Sequence, residues 1–393
     1  MDKIIFTEEF CRPENLHPFT MTRQIQDIRI GILTIREKWE QMLGLPSFDK
    51  KEDDYKDLDR SVTISEATAD GGVCFMIHGN VLPTPKLVKS VKKLGNGEFI
   101  SVDGKEGIVF RFTKNEIKEQ HKIKVKKAVT ISEKIAEIQY PWHIFQLNDQ
   151  AIRQDFEWLT KKRRSQPISK TNKVIKPAGI FIEKDAKVEH SVINASAGPV
   201  YIGKNAEVME GCMIRGPFAM GEGSLLKMGA KVYGATTLGP YCTGGGEIKN
   251  SVMFGYSNKA HDGYLGDSVI GEWCNLGAGT TNSNLKNNAS EVDVWTPGGE
   301  MPAGKKCGVL MGDYSRTAVN TSINTGTIVG VCCNVFGNGL TPKYIPGFSW
   351  GSEGVKHYEF EKALSDIEAW KQLKGRSVTD TEKKILRYIF EKL

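Results

Sequence analysis

No apolar stretch of this 393-residue chain approaches the roughly 20 residues that a membrane-spanning helix needs. The opening MDKIIFTEEFCRPE has no basic stretch leading into a long apolar run, so no secretory signal is expected there. A cytoplasmic protein without membrane partners is the resulting expectation. Cysteine pairs of the CxxC type are missing too. The eight cysteines are Cys11, Cys74, Cys212, Cys242, Cys274, Cys307, Cys332 and Cys333, and none has zinc-site spacing. They are expected as reduced, buried fillers, and no metal is expected from them. Strong charge is also lacking, since the formal net charge is only +6. The main basic run, Lys161-Lys162-Arg163-Arg164, has no interleaved aromatics and reads as a solvated helix end or linker. Nucleic acid is therefore not expected as a partner. A small acidic substrate, such as a sugar phosphate or CoA, suits the mild positive charge.

What is present is a soluble globular composition, with 39% hydrophobic and 25% charged residues. The length predicts two or three domains. Residues 1–165 read as a mixed α/β domain. Asp27 to Leu43 is expected to be helical, and Val73–Ile77, Gly107–Phe112 and Ala128–Ile131 read as strands. KEDDYKDLDR at 51–60 reads as a polar loop. Ile152, Phe156 and Leu159 recur at helical spacing, with Asn148 or Asp149 as the expected cap. The polar stretch 166–177 reads as a linker, followed by one domain over 178–350 and a helical tail over 351–393. That tail is expected to hold two helices, Tyr358–Leu373 and Asp380–Leu393, which cap an open end. Thr379-Asp380-Thr381-Glu382 supplies a capping signal for the second.

The domain over 178–350 carries a repeat. Ile202, Val208, Ile214, Met220, Leu226, Val232 and Leu238 follow one another six residues apart. Four residues after each stand Ala206, Cys212, Phe218, Ser224, Ala230, Thr236 and Cys242. Ile270 and Leu276 continue the series, and Met311, Thr317, Ile323, Val329 and Val335 resume it. A helix would show a period of 3.6 and a half-exposed strand a period of two. A period of six fits a parallel β-helix, in which three short strands and their turns close one coil and aliphatic residues stack inward. Gly203, Gly221 and Gly239 are expected to relieve tight turns. Thr243-Gly244-Gly245-Gly246 breaks the period, and Asn287 to Lys306 is expected to leave the ladder as a long loop. Excursions on one face of a solenoid commonly carry function.

One interruption is rich in polar residues. It runs from Glu247-Ile248-Lys249-Asn250-Ser251 through Gly255-Tyr256-Ser257-Asn258-Lys259-Ala260-His261-Asp262-Gly263-Tyr264-Leu265-Gly266-Asp267. Asn275-Leu276-Gly277-Ala278-Gly279-Thr280 follows, ending at Asn284. His261 lies in a glycine-rich polar stretch, where an imidazole can serve as a general base. Lys249 can supply a fixed cation for a phosphate. Asn275 and Asn284 read equally as solenoid or turn residues.

This stretch resembles the acetyltransferase half of the bifunctional glucosamine-1-phosphate acetyltransferase/N-acetylglucosamine-1-phosphate uridyltransferase (GlmU-like) family. The family's pattern is E-x-K-x(7)-S-K-A-x-H-x-x-Y-L-G-D, then N-[IL]-G-A-G-T-x-x-x-N, and the chain follows it from Glu247 to Asn284. The resemblance implies a left-handed β-helix, a homotrimer with sites between subunits, and acetyl-CoA as co-substrate. It implies that His261 is the base, that Lys249 and Tyr264 hold a sugar phosphate, and that Asn275 and Asn284 are amide ligands. It also implies that the backbone of Ala278 faces the thioester oxygen. The chain departs from the family at Leu285, where a tyrosine is usual, and at Val319, where a serine is usual. The family's arginine one coil before Lys249 has only Arg215 or Lys227 as candidates, and its downstream lysine only Lys286.

The N-terminal half resembles a divergent sugar-nucleotidyltransferase family, through Arg12-Pro13-Glu14-Asn15-Leu16-His17-Pro18-Phe19-Thr20-Met21-Thr22-Arg23 and Ile28 to Trp39. That resemblance implies nucleotidyl transfer with Mg²⁺. The wider superfamily places a G-x-G-T-R loop before its Pro-x-Thr, whereas the first glycine here is Gly31. Arg12 and Arg23 are the candidates to meet nucleotide phosphates in its place. The expected function is therefore N-acetyl transfer from acetyl-CoA to an amino-sugar 1-phosphate, with an N-terminal domain able to activate the product. The alternative is a sugar-1-phosphate nucleotidyltransferase whose solenoid only trimerises it. A third reading is a binding or assembly protein in which both sites have decayed.

Overall fold

The structure, a computed structural model, describes residues 1–51, 60–102, 107–118, 123–354 and 356–393. The polar stretch 51–60 lies, but for its two ends, outside the described residues. By its contacts the chain divides into two compact units. The first holds residues 1–13, 23–28 and 33–139, and the second holds 14–22, 29–32 and 140–393.

The first unit is built on a seven-stranded sheet. Lys3–Thr7 lies between Ser47–Lys50 and Cys74–His78 and is parallel to both. Gly107–Phe112 pairs antiparallel to Cys74–His78, and Glu98–Val102 and Lys127–Ile131 follow outward. The expected strands are all present. The segment 27–43 is helical only over Ile35–Leu43, where Thr34 and Glu37 form a reciprocal capping box. Arg36 in that helix is buried and paired with both Asp27 and Asp49.

The second unit is built on a three-sheet parallel β-helix. Successive coils pair in parallel, as with Val200–Ile202, Phe218–Met220 and Thr236–Leu238. Ile202, Met220 and Leu238 stack in one inward column and are fully buried. Val208 and Leu226 stack in a second, and Ile214 and Val232 in a third. Each such buried aliphatic side chain contributes roughly 1.5–3 kcal/mol. Ala206, Cys212, Ser224, Ala230, Thr236 and Cys242 are buried beside these columns, as their size demands. All eight cysteines are free thiols, and only Cys11 is not fully buried.

Gly203, Gly221 and Gly239 have a different role from the one expected. Their backbones are not left-handed, but the next coil passes too close for a side chain. A Cβ on Gly239 would stand 1.6 Å from the carbonyl oxygen of Phe254. The left-handed corner lies two residues on, at Asn205, Tyr241, Tyr256, Trp273 and Tyr314. Tyr241, Tyr256 and Trp273 stack there, with centroids 5.1 and 4.3 Å apart.

Thr243-Gly244 remains in the sheet, paired with Asn258-Lys259 in a shortened coil. The long excursion is not a simple loop. Asp293–Thr296 and Gly299–Pro302 pair as a β-hairpin within it. The helix Asn148–Thr160 groups with the solenoid by its contacts. Asn148 is not its cap. Its amide reaches Ala235 O at 2.7 Å and Thr237 Oγ1 at 3.1 Å, so the helix start is anchored to a coil.

The tail helices are Phe360–Gln372 and Asp380–Lys392, and the expected capping box of Thr379 and Glu382 is present. They strap the flank of the solenoid along the aromatic corner rather than its end alone. Lys371 lies over Trp273, Glu382 accepts from Tyr314, and Lys374 donates to Tyr241 O.

Candidate functional site

The polar interruption occupies one corner of the β-helix and the two faces that flank it. Strand Asn258–Lys259 enters the corner, and Tyr264–Gly266 leaves it on the adjacent face. His261 sits at the bend and is exposed. The next coil turns at 277–280, and Gly279 N donates to Asp262 O at 3.0 Å. Gly263 makes this closeness possible, because a Cβ there would stand 2.1 Å from Thr280 O. His261 and Ala278 therefore occupy stacked corners. The coil after that brings Asn320 N to Ala278 O at 2.7 Å, which puts exposed Val319 at the third corner.

On the face after the corner, Lys249 is in register with Gly266, and Glu247 with Tyr264. Tyr264 folds back over Gly266, where a Cβ would meet its hydroxyl at 2.2 Å. Asn284 Nδ2 donates to the Tyr264 hydroxyl at 3.1 Å and also to Asp267. Asn250 donates to the other Asp267 oxygen at 2.7 Å. The Asp267 carboxylate is thus buried between two amides, which satisfy it without a cation. Burial, reinforced by Asp267, pushes the Tyr264 phenol up to about 12. It remains a neutral hydroxyl near neutral pH and can donate a hydrogen bond.

The structure also shows what stands where the family has an arginine. Tyr233 is in register with Lys249, and its ring centroid is 6.0 Å from Nζ. Its hydroxyl donates to Glu247 at 2.5 Å, and that hydrogen bond is the main reason its pKa rises to about 12. Arg215 lies one coil further back and Lys227 is at a different corner, so neither is beside Lys249. Counting three full hexads back from Lys249 leads to Lys231, but the coil is short and Lys231 falls beside Glu247. Tyr233, Asn250 and Asp267 carry no role in the sequence reading. Val232 and Ile248 are register partners across the shortened coil, and that pairing is what sets Tyr233 beside Lys249. Lys286 is engaged with Asp293 of the hairpin at 3.2 Å.

Asn275 is separate from this cluster. It lies on the face before the corner, between Asn258 and Arg316 in register. The predicted residues therefore form one cluster of Lys249, Tyr264 and Asn284, a corner pair of His261 and Ala278, and Asn275 on the other flank.

In the first unit, the strand Lys3–Thr7 runs into Glu8, Glu9, Phe10 and Cys11 without a glycine loop. Glu8 accepts from Ile25 N at 2.5 Å, and the Cys11 thiol donates to Asn80 at 3.4 Å. Arg12 is exposed, and Arg23 is half-buried with interactions of its own. Pro18-Phe19-Thr20 belongs to the second unit, where Phe19 packs on Phe254 at 5.0 Å and Thr22 donates to Asp313 at 2.7 Å. Among the described residues, no group of three or more His, Cys, Asp or Glu could hold a metal ion.

Residues 4–164 match the family model described as sugar nucleotidyl transferase. A bifunctional sugar-1-phosphate nucleotidylyltransferase/acetyltransferase from Sulfurisphaera tokodaii is 37% identical over 91 residues, covering 23% of this chain and 23% of that protein. The bifunctional protein GlmU of Methanocaldococcus jannaschii is 36% identical over 87 residues, which is 22% of this chain and 21% of its own. An uncharacterized acetyltransferase, YaiX, from Escherichia coli is 31% identical over 161 residues, covering 37% of this chain and 66% of that protein. The chain thus aligns with less than a quarter of the length of these bifunctional relatives.

Proposed function

We propose that a chain with a sugar nucleotidyl transferase segment and a GlmU-like β-helix is an N-acetyltransferase, using acetyl-CoA and an amino-sugar 1-phosphate. The observation that carries this reading is the exposed His261 corner, stacked on the Ala278 corner and flanked by Lys249, Tyr264 and Asn284. In this reading His261 takes a proton as the sugar amine attacks the thioester carbon. The Ala278 N–H stabilises the resulting oxyanion. The C–S bond then breaks, and the imidazolium returns the proton to the CoA sulfur. Lys249 faces the phosphate, and Tyr264, Asn284 and Asn275 orient the sugar. A convex corner cannot enclose a substrate by itself, which favours a homotrimer whose neighbouring copies close the site. CoA release from acetyl-CoA with glucosamine 1-phosphate tests the reading. Release no faster than without the sugar would overturn it.

The family match over 4–164 favours a second reading, sugar-1-phosphate nucleotidyl transfer with the solenoid as a trimerising scaffold. Arg12 and Arg23 are its candidate phosphate ligands. Pyrophosphate release from a nucleoside triphosphate and N-acetylglucosamine 1-phosphate, lost in Arg12→Ala and Arg23→Ala, would support it.

A further inference from the structure

We infer that Lys259 is a positioning residue for His261, tethering its backbone from inside the solenoid; this rests on the acetyltransferase reading above. Lys259 occupies an inward column that runs Val208, Leu226, Gly244, Lys259. In the following coil the equivalent place belongs to Leu276. A lysine at an aliphatic position needs a reason, because burying a polar head group without hydrogen-bond partners is costly. Only 1% of this side chain is exposed.

Its Nζ turns toward the corner and donates to two carbonyls, Gly245 O at 3.1 Å and His261 O. The first belongs to the previous corner and the second to the residue that carries the proposed base. No carboxylate pairs with it among the described residues. Burial lowers its pKa to about 8, and nearby Asp262 opposes that fall. The amine thus links two successive corners and fixes the peptide from which the exposed imidazole projects. The His261 side chain itself is exposed. Gly245 cannot be replaced to do this work, because a Cβ there would stand 2.4 Å from Ala260 O.

A solenoid selected for stability alone would place a straight apolar chain here, and the test uses that contrast. Lys259→Met in the full-length protein is expected to keep or raise the melting temperature. Its kcat is expected to fall by roughly tenfold or more, the scale of a slight misplacement of a reacting group. KM for acetyl-CoA should stay within about twofold, since uniform binding is untouched. Lys259→Gln, which retains an N–H donor, should recover part of the lost kcat. Hydrogen exchange followed by mass spectrometry should show faster exchange over 260–264 in Lys259→Met, and this readout does not depend on turnover. Wild-type kcat per folded molecule in Lys259→Met, or unchanged exchange at the corner, would overturn the inference. Absence of acetyl transfer in the wild type would instead remove the parent reading, while the exchange result still decides the tether.

Discussion

The side-chain amide of Asn284 donates to the hydroxyl of Tyr264 at 3.1 Å, and the same nitrogen serves Asp267. One amide therefore sets the orientation of a phenol and satisfies part of a buried carboxylate. Asn284→Ala removes both bonds and leaves Asp267 with Asn250 alone. The loss should be about 1–3 kcal/mol, the scale for a buried partner left unsatisfied. Steady-state kinetics should show a rise in KM for the amino sugar of roughly tenfold, with KM for acetyl-CoA little changed.

His261 is exposed, so its side chain contributes little to the fold. His261→Ala should lower kcat by about 10²–10⁴-fold, the range for a lost general base. Its unfolding free energy should stay within about 0.5 kcal/mol of wild type, as for other surface changes. Denaturant melts beside CoA-release assays check both. Wild-type turnover in this variant would remove His261 from the mechanism.

His78 provides a pH prediction for the first unit. Its ring stacks on Phe10 at 4.9 Å, and its Nε2 is buried without a hydrogen-bond partner among the described residues. Burial lowers its pKa from 6.5 to about 4, with Glu9 opposing. The unfolded chain therefore binds this proton at a higher pH than the folded one. Stability is intact above the ordinary histidine range and is lost as pH falls through 6.5 toward 4. At about 1.4 kcal/mol per pH unit, the full effect is roughly 3 kcal/mol. His78→Phe should abolish this part of the acid sensitivity in melts between pH 7 and pH 4, values chosen to bracket that range.

Gly239 provides a test of coil spacing. A Cβ there would overlap the Phe254 carbonyl at 1.6 Å, and backbone on both sides leaves no flexible atom to yield. Gly239→Ala should cost on the order of 3 kcal/mol, the upper range for overpacking. A melting temperature equal to wild type would contradict the packing described.

The ladder was legible in sequence because each inward column is read directly as a period of six, and Ile202 to Leu238 never departs from it. His261, Tyr264 and Asn284 were legible through a continuous motif. Tyr233 was not, because register across a shortened coil depends on how many residues the corners lose. Asn148 looked like a cap from local spacing, and only the packed structure shows Ala235 and Thr237 taking its amide. Phe19 was legible as part of a family motif, whereas its packing on Phe254 was not. Local pattern predicts local structure. Partners far along the chain need the fold.

The shortened coil at Thr243-Gly244 has one more consequence. Val232 still pairs with Ile248 and Leu238 with Met253 across the short coil, so inward positions keep their register while the corners lose residues. Corner length is therefore nearly independent of core packing. Such a scaffold can gain, lose or exchange its corner peptides in evolution, or in the laboratory, with little retuning of its interior. The excursion that carries the hairpin 293–302 is one such addition, and the strands on either side of it still pair, Val269 with Leu310 and Ile270 with Met311. New specificity on this fold can arise by editing bends rather than by rebuilding walls.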